Sequence, residues 1–158
     1  MKKKLLVGFV ILFIAIQAIQ PAKNQGNFMS LNDITHTVSV PENVLIILKK
    51  SCYDCHSNYT NYPWFDRITP INHWVFNHVK TGKLELNFTE FGNYSAKKQL
   101  HKLKEIKETL EKDEMPLMSY TIMHPGTKLT NTQKNMLLDW TNKVTDEIRQ
   151  RQNDHFNY

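Results

Sequence analysis

The chain has 158 residues, of which 41% are hydrophobic, and its formal net charge is +5. This length fits one domain of ordinary size behind a short N-terminal segment. Lys2, Lys3 and Lys4 supply three of the five net positive charges, so the rest of the chain is too weakly charged to suggest a nucleic-acid partner. Because Cys52 and Cys55 are the only cysteines, a framework of several disulfides is also excluded.

The first 20 residues have the pattern of an export segment, in which three lysines precede an apolar run from Leu5 to Ile19. The run of about 15 apolar residues favours a cleavable signal, but the small residues of a cleavage site are incomplete, and lysine stems extend the usable span. We therefore predict a signal anchor over residues 1–20, which crosses the cell inner membrane once and leaves the rest of the chain in the periplasm. The alternative is a soluble periplasmic protein after signal cleavage.

Residues 21–38 are polar and irregular, which predicts a tether between the anchor and the domain. A first helix is predicted to begin at Ser39-Val40-Pro41-Glu42, where proline suits the first turn. Apolar residues then recur at helical spacing, at Val44, Ile47 and Leu48. This helix leads directly into the most informative part of the sequence.

Residues 52–56 read Cys-Tyr-Asp-Cys-His, and Cys-x-x-Cys-His is the sequence at which haem is covalently attached in c-type cytochromes. Positions i, i+3 and i+4 of a helical turn share one face, so Cys52, Cys55 and His56 are predicted to address the same macrocycle. The two thiols would form thioethers with the haem vinyl groups, and His56 would be the proximal iron ligand. The predicted cofactor is one covalently attached haem c with its iron.

Two other interpretations of the cysteine pair are weaker. A thioredoxin-like redox pair belongs in a βαβ context, and no strong strand pattern surrounds this one. A zinc site would need a second Cys or His pair at zinc-finger spacing, which the sequence does not supply.

Three more helices are predicted along the remainder of the chain. One begins at Thr69-Pro70 and ends at Gly82, the next runs from Ser95 to about Lys112, and the last begins with the capping box Thr130-x-x-Gln133. The predicted fold class is therefore all-α, a cytochrome c-like helical domain over residues 39–153 with long loops around one haem.

Met115, in the segment Asp113-Glu114-Met115-Pro116, is the predicted sixth ligand of the iron. Pro116 prevents continuation of the preceding helix and favours a loop in which the thioether points inward. A thioether is a soft ligand suited to iron, and Met/His ligation raises the reduction potential. The alternative sixth ligand is His78, which shares a predicted helix face with Ile71 and Trp74, and Met118 and Met123 are held in reserve. Arg67, Lys80 and Lys83 are candidate partners of the haem propionates.

Several spaced motifs carry a resemblance to a known family. They are Cys52-Tyr53-Asp54-Cys55-His56-Ser57-Asn58, Tyr62-Pro63-Trp64, Leu86-Asn87-Phe88, Glu114-Met115-Pro116 and His124-Pro125. The chain resembles the bacterial haem-binding domain family of small single-haem c-type cytochromes from about Gln17 to Trp140. The resemblance implies an exported, membrane-tethered haem domain with attachment through Cys52 and Cys55 and axial ligation by His56. Gly126-Thr127 departs from the family pattern in the loop that follows His124-Pro125.

The function predicted from these residues is one-electron transfer at the periplasmic face of the membrane, rather than catalysis. Its partners would be redox proteins of an electron-transfer chain, together with the membrane through the N-terminal anchor. The alternatives are a haem-based sensor, an accessory haem domain of a respiratory complex or, less favoured, a peroxidase-like enzyme, which needs an open iron with a distal acid and base.

Overall fold

A computed structural model describes the backbone of residues 2–156 and the side chains of residues 2–154. Eight α-helices follow one another in this part of the chain: α1 Lys2–Ile16, α2 Ile34–Thr37, α3 Glu42–Ser51, α4 Tyr53–His56, α5 Ile71–Glu85, α6 Ala96–Glu111, α7 Met118–Met123 and α8 Asn131–Phe156. Two 3-10 turns, Trp64–Arg67 and Phe88–Asn93, lie before and after α5. An isolated bridge between Gln25 and Tyr59 is the only strand-like pairing among the described residues, so the all-α prediction is confirmed.

The core lies where α6 and α3 pack against α8. Leu48, Leu103 and Leu137, one from each of these helices, are each 1% exposed. They recur at the helical spacing that predicted these helices, and burial of this apolar surface is the main stabilising contribution. Trp140 on α8 donates its indole N–H to the carbonyl of Ser39 at 3.0 Å, which fixes the start of α3 against the long helix.

The helix predicted to end at Gly82 continues to Glu85. Gly82 lies against the motif, and a Cβ added there would be 2.8 Å from the carbonyl oxygen of Cys55. A side chain at this position would therefore push α5 away from the motif. The glycine serves close packing of α5 on α4 rather than helix termination.

The segment predicted as a tether, residues 21–38, is in contact with the domain. The Gly26 N–H donates to the carbonyl of Asn58 at 2.8 Å, and the Asn24 N–H donates to the hydroxyl of Tyr62 at 2.8 Å. Ile34 on α2 is fully buried against the core. A polar composition does not separate a free linker from a segment whose polar groups bond to a neighbouring loop.

The N-terminal helix α1 has 15 residues and exposed side chains along almost its whole length. At 1.5 Å per residue it rises roughly 22 Å, less than the roughly 30 Å hydrocarbon core of a bilayer. No helix among residues 2–156 is long and apolar enough to cross a membrane. This finding corrects the prediction of a single-pass N-terminal anchor over residues 1–20, and with it the localisation that rested on that anchor.

The capping box predicted before α8 is present. The Thr130 hydroxyl accepts from the N–H of Gln133 at 3.2 Å, and the Gln133 side chain accepts from the N–H of Thr130 at 3.0 Å. We expect Thr130→Ala to lower the free energy of unfolding by about 1 kcal/mol, because it leaves a helix N-terminal donor without its acceptor. Urea unfolding followed by circular dichroism measures this change. Thr132→Ala, at an exposed position of the first turn, is the matched control, and an equal loss there would contradict the capping role.

Candidate haem-binding site

The Cys52–His56 motif forms one separate helical turn at the end of α3. Cys52 has φ −130° and ψ −42°, which interrupts the helix between Ser51 and Tyr53. Its carbonyl accepts hydrogen bonds from the N–H groups of Cys55 at 3.2 Å and His56 at 3.0 Å. Cys52 therefore stands outside the helical geometry of the other two motif residues, and the three side chains do not share a single helix face.

A cavity of about 320 Å³, here called cavity A, lies between α3, α6 and α8 beside the motif. Cys52, His56 and Met115 all line it. Its apolar wall consists of Leu48, Leu86, Phe88, Ile106, Leu110, Leu129 and Leu137. The structure therefore brings three of the four predicted haem residues to one largely apolar space.

The ring of His56 is held in the orientation that a metal ligand needs. Its Nδ1 lies 3.0 Å from the carbonyl oxygen of Leu86, and its ring packs edge-on against Phe88. A carbonyl only accepts, so Nδ1 carries the proton and Nε2 of the neutral ring keeps its lone pair for a metal. Burial lowers the pKa of His56, and hydrogen bonding to the carbonyls of Leu86 and Gly82 opposes this only in part. The imidazole is thus kept in the neutral form that binds iron.

Both cysteines are free thiols, and both are half-buried. Burial, with a smaller contribution from the neighbouring Cys55, raises the pKa of Cys52 to about 12. Burial and the charge of Asp54 raise the pKa of Cys55 to about 11. The protein environment therefore keeps each sulfur as a neutral S–H group, in contrast to the depressed pKa of a reactive redox cysteine.

The loop that carries Met115 is set by the end of α6. Asp113 adopts a left-handed conformation with φ 55°, and the Glu114 N–H bonds back to the carbonyl of Thr109 at 2.9 Å. With this arrangement α6 ends at Glu111, four residues before Met115, so Pro116 is not needed to stop it. Lys134 on α8 pairs with the carboxylate of Asp113 at 2.8 Å and holds the turn against the bundle. Met115 is 36% exposed and lies at the edge of cavity A.

The other predicted iron ligands lie elsewhere. His78 lines a second cavity of about 380 Å³, here called cavity B, and its Nδ1 is 2.9 Å from the carbonyl of Trp74. Met123 also lines cavity B, and Met118 is 76% exposed and lines neither cavity. Of the candidates for the sixth position, only Met115 shares a cavity with His56.

Cys55 also lines cavity B rather than cavity A. The side chain faces α5, where Gly82 gives it room. The structure therefore places Cys52 and His56 beside one cavity and Cys55 beside the other. A macrocycle joined to both cysteines would border both cavities at the motif.

Lys102 lies at the candidate site, although the sequence did not predict it there. It is a buried lysine of α6 that lines cavity A, with its ammonium 2.6 Å from Glu105 and 3.6 Å from Glu85. Burial disfavours the charged form, but Glu105 and Glu85 together outweigh it and raise the pKa of Lys102. The signal available in the sequence was Glu105, because a carboxylate three residues later on a helix can pair with a lysine. Arg67, Lys80 and Lys83, the predicted propionate partners, do not line cavity A.

These residues fit a haem. A neutral imidazole, a thioether and a thiol border one apolar space, and imidazole and thioether together are a recognised axial pair for haem iron. Among the residues that the structure describes, no cluster of three His, Cys, Asp or Glu side chains is placed to hold a bare metal ion. The fold and this donor set define an all-helical haem-binding protein.

The comparison with known families gives a specific assignment. The sequence profile of the haem-binding domain family matches residues 11–143, which is most of the chain. The chain therefore belongs to the haem-binding domain family, and haem is its cofactor. The resemblance seen in the sequence from about Gln17 to Trp140 is confirmed as membership of the haem-binding domain family. Neither a curated protein nor a solved structure matches the chain.

Proposed function

We propose that this protein is a c-type cytochrome that carries one electron between redox partner proteins. The observation that carries the proposal is that His56 and Met115 border the same cavity, with Nδ1 of His56 tied to a backbone carbonyl and Nε2 left for iron. Cys52 on that cavity and Cys55 on the adjoining one would supply the covalent attachment.

Attachment would form two carbon–sulfur bonds. Each thiol adds across one haem vinyl group, so that the sulfur bonds to one vinyl carbon and the thiol hydrogen goes to the other. Each thiol would supply the hydrogen for this addition, and the raised pKa of both cysteines favours that protonated form. The thioethers would then hold the haem beside the one-turn helix α4, which carries His56, the residue that would bind the iron.

The chain's own residues favour electron transfer over catalysis. Haem iron would supply a one-electron couple when bound, and His56 and Met115 are the residues that would bind it. The Leu86 carbonyl orients the imidazole, while the left-handed turn at Asp113 sets the loop that presents the thioether. The Leu and Ile side chains of cavity A would keep water from a bound haem. An iron bound by both residues would leave no coordination site for a substrate.

A redox titration tests the proposal. The full-length protein, purified from cells that contain the cytochrome c maturation machinery, is titrated with dithionite and ferricyanide while its visible absorption is recorded. We expect a reversible one-electron transition between two low-spin spectra. A high-spin spectrum with ready binding of carbon monoxide would instead favour the sensor or peroxidase alternatives, because it shows an open axial position.

A further inference from the structure

The charged side chains around cavity A restrict how the cavity can receive a haem. Of the described residues that line it, two are cations and four are carboxylates, namely Lys102 and Lys112, and Glu85, Glu105, Glu108 and Glu114. Haem brings two carboxylates of its own. A carboxylate that leaves water for a space with other carboxylates in its wall needs a cation beside it, because an unpaired buried charge is strongly disfavoured. A haem carboxylate that enters cavity A therefore needs one of the two lysines.

Lys102 is the lysine that the fold buries. Its side chain is 10% exposed, whereas Lys112, which directly follows α6, is exposed. Burial alone would lower the pKa of Lys102, but Glu105 and Glu85 outweigh it and raise that pKa, so the group remains a cation. The fold therefore keeps one charged ammonium group fixed in the wall of cavity A.

The contacts of Lys102 leave part of this ammonium group unused. An ammonium has three N–H donors, and among the described residues Lys102 makes one side-chain hydrogen bond, to Glu105 at 2.6 Å. The carboxylate of Glu85 is 3.6 Å away, beyond hydrogen-bonding distance, and its side chain is 69% exposed. Because Glu85 is already largely in water, it gives way to another carboxylate without becoming a buried unpaired charge.

The position of Lys102 also suits the chemistry of the macrocycle. The vinyl groups of haem and its carboxylates are on different pyrrole rings, so the residues that bind each kind must come from different parts of the cavity wall. Cys52, at the end of α3, and Lys102, on α6, border cavity A from different helices. A haem bonded to Cys52 would thus have a cation available at another part of the same wall.

We propose that Lys102 binds a carboxylate of the haem through the ammonium donors that Glu105 leaves free. The inference rests on the proposed function, which places the haem in cavity A. It adds to that function a residue that orients the cofactor by its carboxylate edge, separate from the residues that would bind the iron and the vinyl groups.

Resonance Raman spectroscopy tests this contact, because the bending bands of the haem carboxylates respond to the hydrogen bonds that these groups accept. The full-length protein is made in cells with the cytochrome c maturation machinery, and the variant is Lys102→Met/Glu105→Gln. Replacing both residues removes the ammonium without leaving Glu105 as an unpaired carboxylate. We expect the carboxylate bending bands to shift to lower frequency, because a charge-assisted hydrogen bond is lost.

The matched control is Lys104→Met/Glu108→Gln. Lys104 and Glu108 form an exposed ion pair on the same helix, with Nζ and the carboxylate 3.4 Å apart, and Lys104 does not line cavity A. This variant makes the same change of charge and should leave the bands where they are. Unchanged bands in Lys102→Met/Glu105→Gln, or an equal shift in the control, would overturn the proposal, because Lys102 would then pair only with its own glutamates.

Failure of this inference and failure of the proposed function give different results. Absorption of the same samples reports whether haem is attached and low-spin. Low-spin haem whose carboxylate bands do not respond to the loss of Lys102 contradicts the lysine contact alone. A chain without covalent haem contradicts the proposed function.

A titration that needs no variant decides the lysine contact in that last case, and also where a variant fails to fold. The full-length chain, made without the maturation machinery, is titrated with ferric haem and with haem dimethyl ester, in which both carboxylates are blocked. We expect the ester to bind about tenfold more weakly, because it cannot form the charge-assisted hydrogen bond with Lys102. Equal affinities, or no saturable binding of haem, would overturn the proposal.

Discussion

Replacing Met115 by alanine is expected to convert a low-spin haem spectrum into a high-spin spectrum and to let the ferrous protein bind carbon monoxide. Met115 is the one candidate for the sixth position that borders the cavity of His56, so its loss leaves an axial position open. The reduction potential should also fall, because the thioether favours the ferrous form. Absorption of both oxidation states, with the near-infrared band of Met–iron ligation, measures the change.

Two control variants make the Met115 result specific. Met118→Ala removes a methionine three residues away that is 76% exposed and borders neither cavity, and it should keep the low-spin spectrum. His78→Ala tests the alternative ligand directly and should also keep it, since His78 lies in cavity B. A Met115→Ala protein that remains low-spin while His78→Ala becomes high-spin would show that the ligand was assigned to the wrong residue.

Replacing both Cys52 and Cys55 by alanine is expected to abolish covalent haem attachment completely. These are the only two sulfhydryl groups in the chain, so no other residue can form a thioether. Haem staining of a denaturing gel, with extraction into acidified acetone, distinguishes covalent from dissociable haem. The double variant should lose all staining, and each single variant should keep one thioether and a reduced amount of bound haem.

Cys52 borders cavity A, whereas Cys55 borders cavity B. His101→Ala is a suitable control for the gel experiment because it removes an exposed imidazole of α6 and should leave haem staining unchanged. Persistent covalent haem in the double variant would contradict thioether attachment through the motif.

The helices were predictable because their signals are local. Ser95 and Thr130 cap the helices that follow them, and the apolar spacing of Leu103 and Leu137 placed both in the core. The role of Gly82 could not be predicted from a local pattern. A glycine after a helical stretch suggests an end, but here it allows close contact with Cys55, a residue 27 positions earlier, and long-range packing leaves no local pattern.

The segments outside the core helices were predicted less well. Residues 21–38 have the composition of a linker, yet their backbone groups bond to the loop at Asn58 and Tyr62. The apolar N-terminal run predicted a membrane anchor, and the described helix α1 is too short for one. Composition shows how apolar or polar a segment is. It shows neither which residues the segment contacts nor how long its helix is.

For the candidate site, the sequence identified residue types more reliably than positions. His56 and Met115, the predicted iron ligands, line one cavity, while Cys55 lines the other and the helix is interrupted at Cys52. Nothing in Ser51-Cys52-Tyr53 is a helix breaker, so this interruption was not visible in the sequence. The burial of Lys102 depends on the packing of α6 beside cavity A, and the only local signal for this residue was Glu105, three positions later.

Intact mass spectrometry of the full-length protein, made in cells with the cytochrome c maturation machinery, tests the covalent attachment most directly. Under denaturing conditions we predict the mass of the polypeptide plus one haem, together with a Soret absorption that coelutes with the chain. A polypeptide that carries no added mass and has no Soret band would contradict the account.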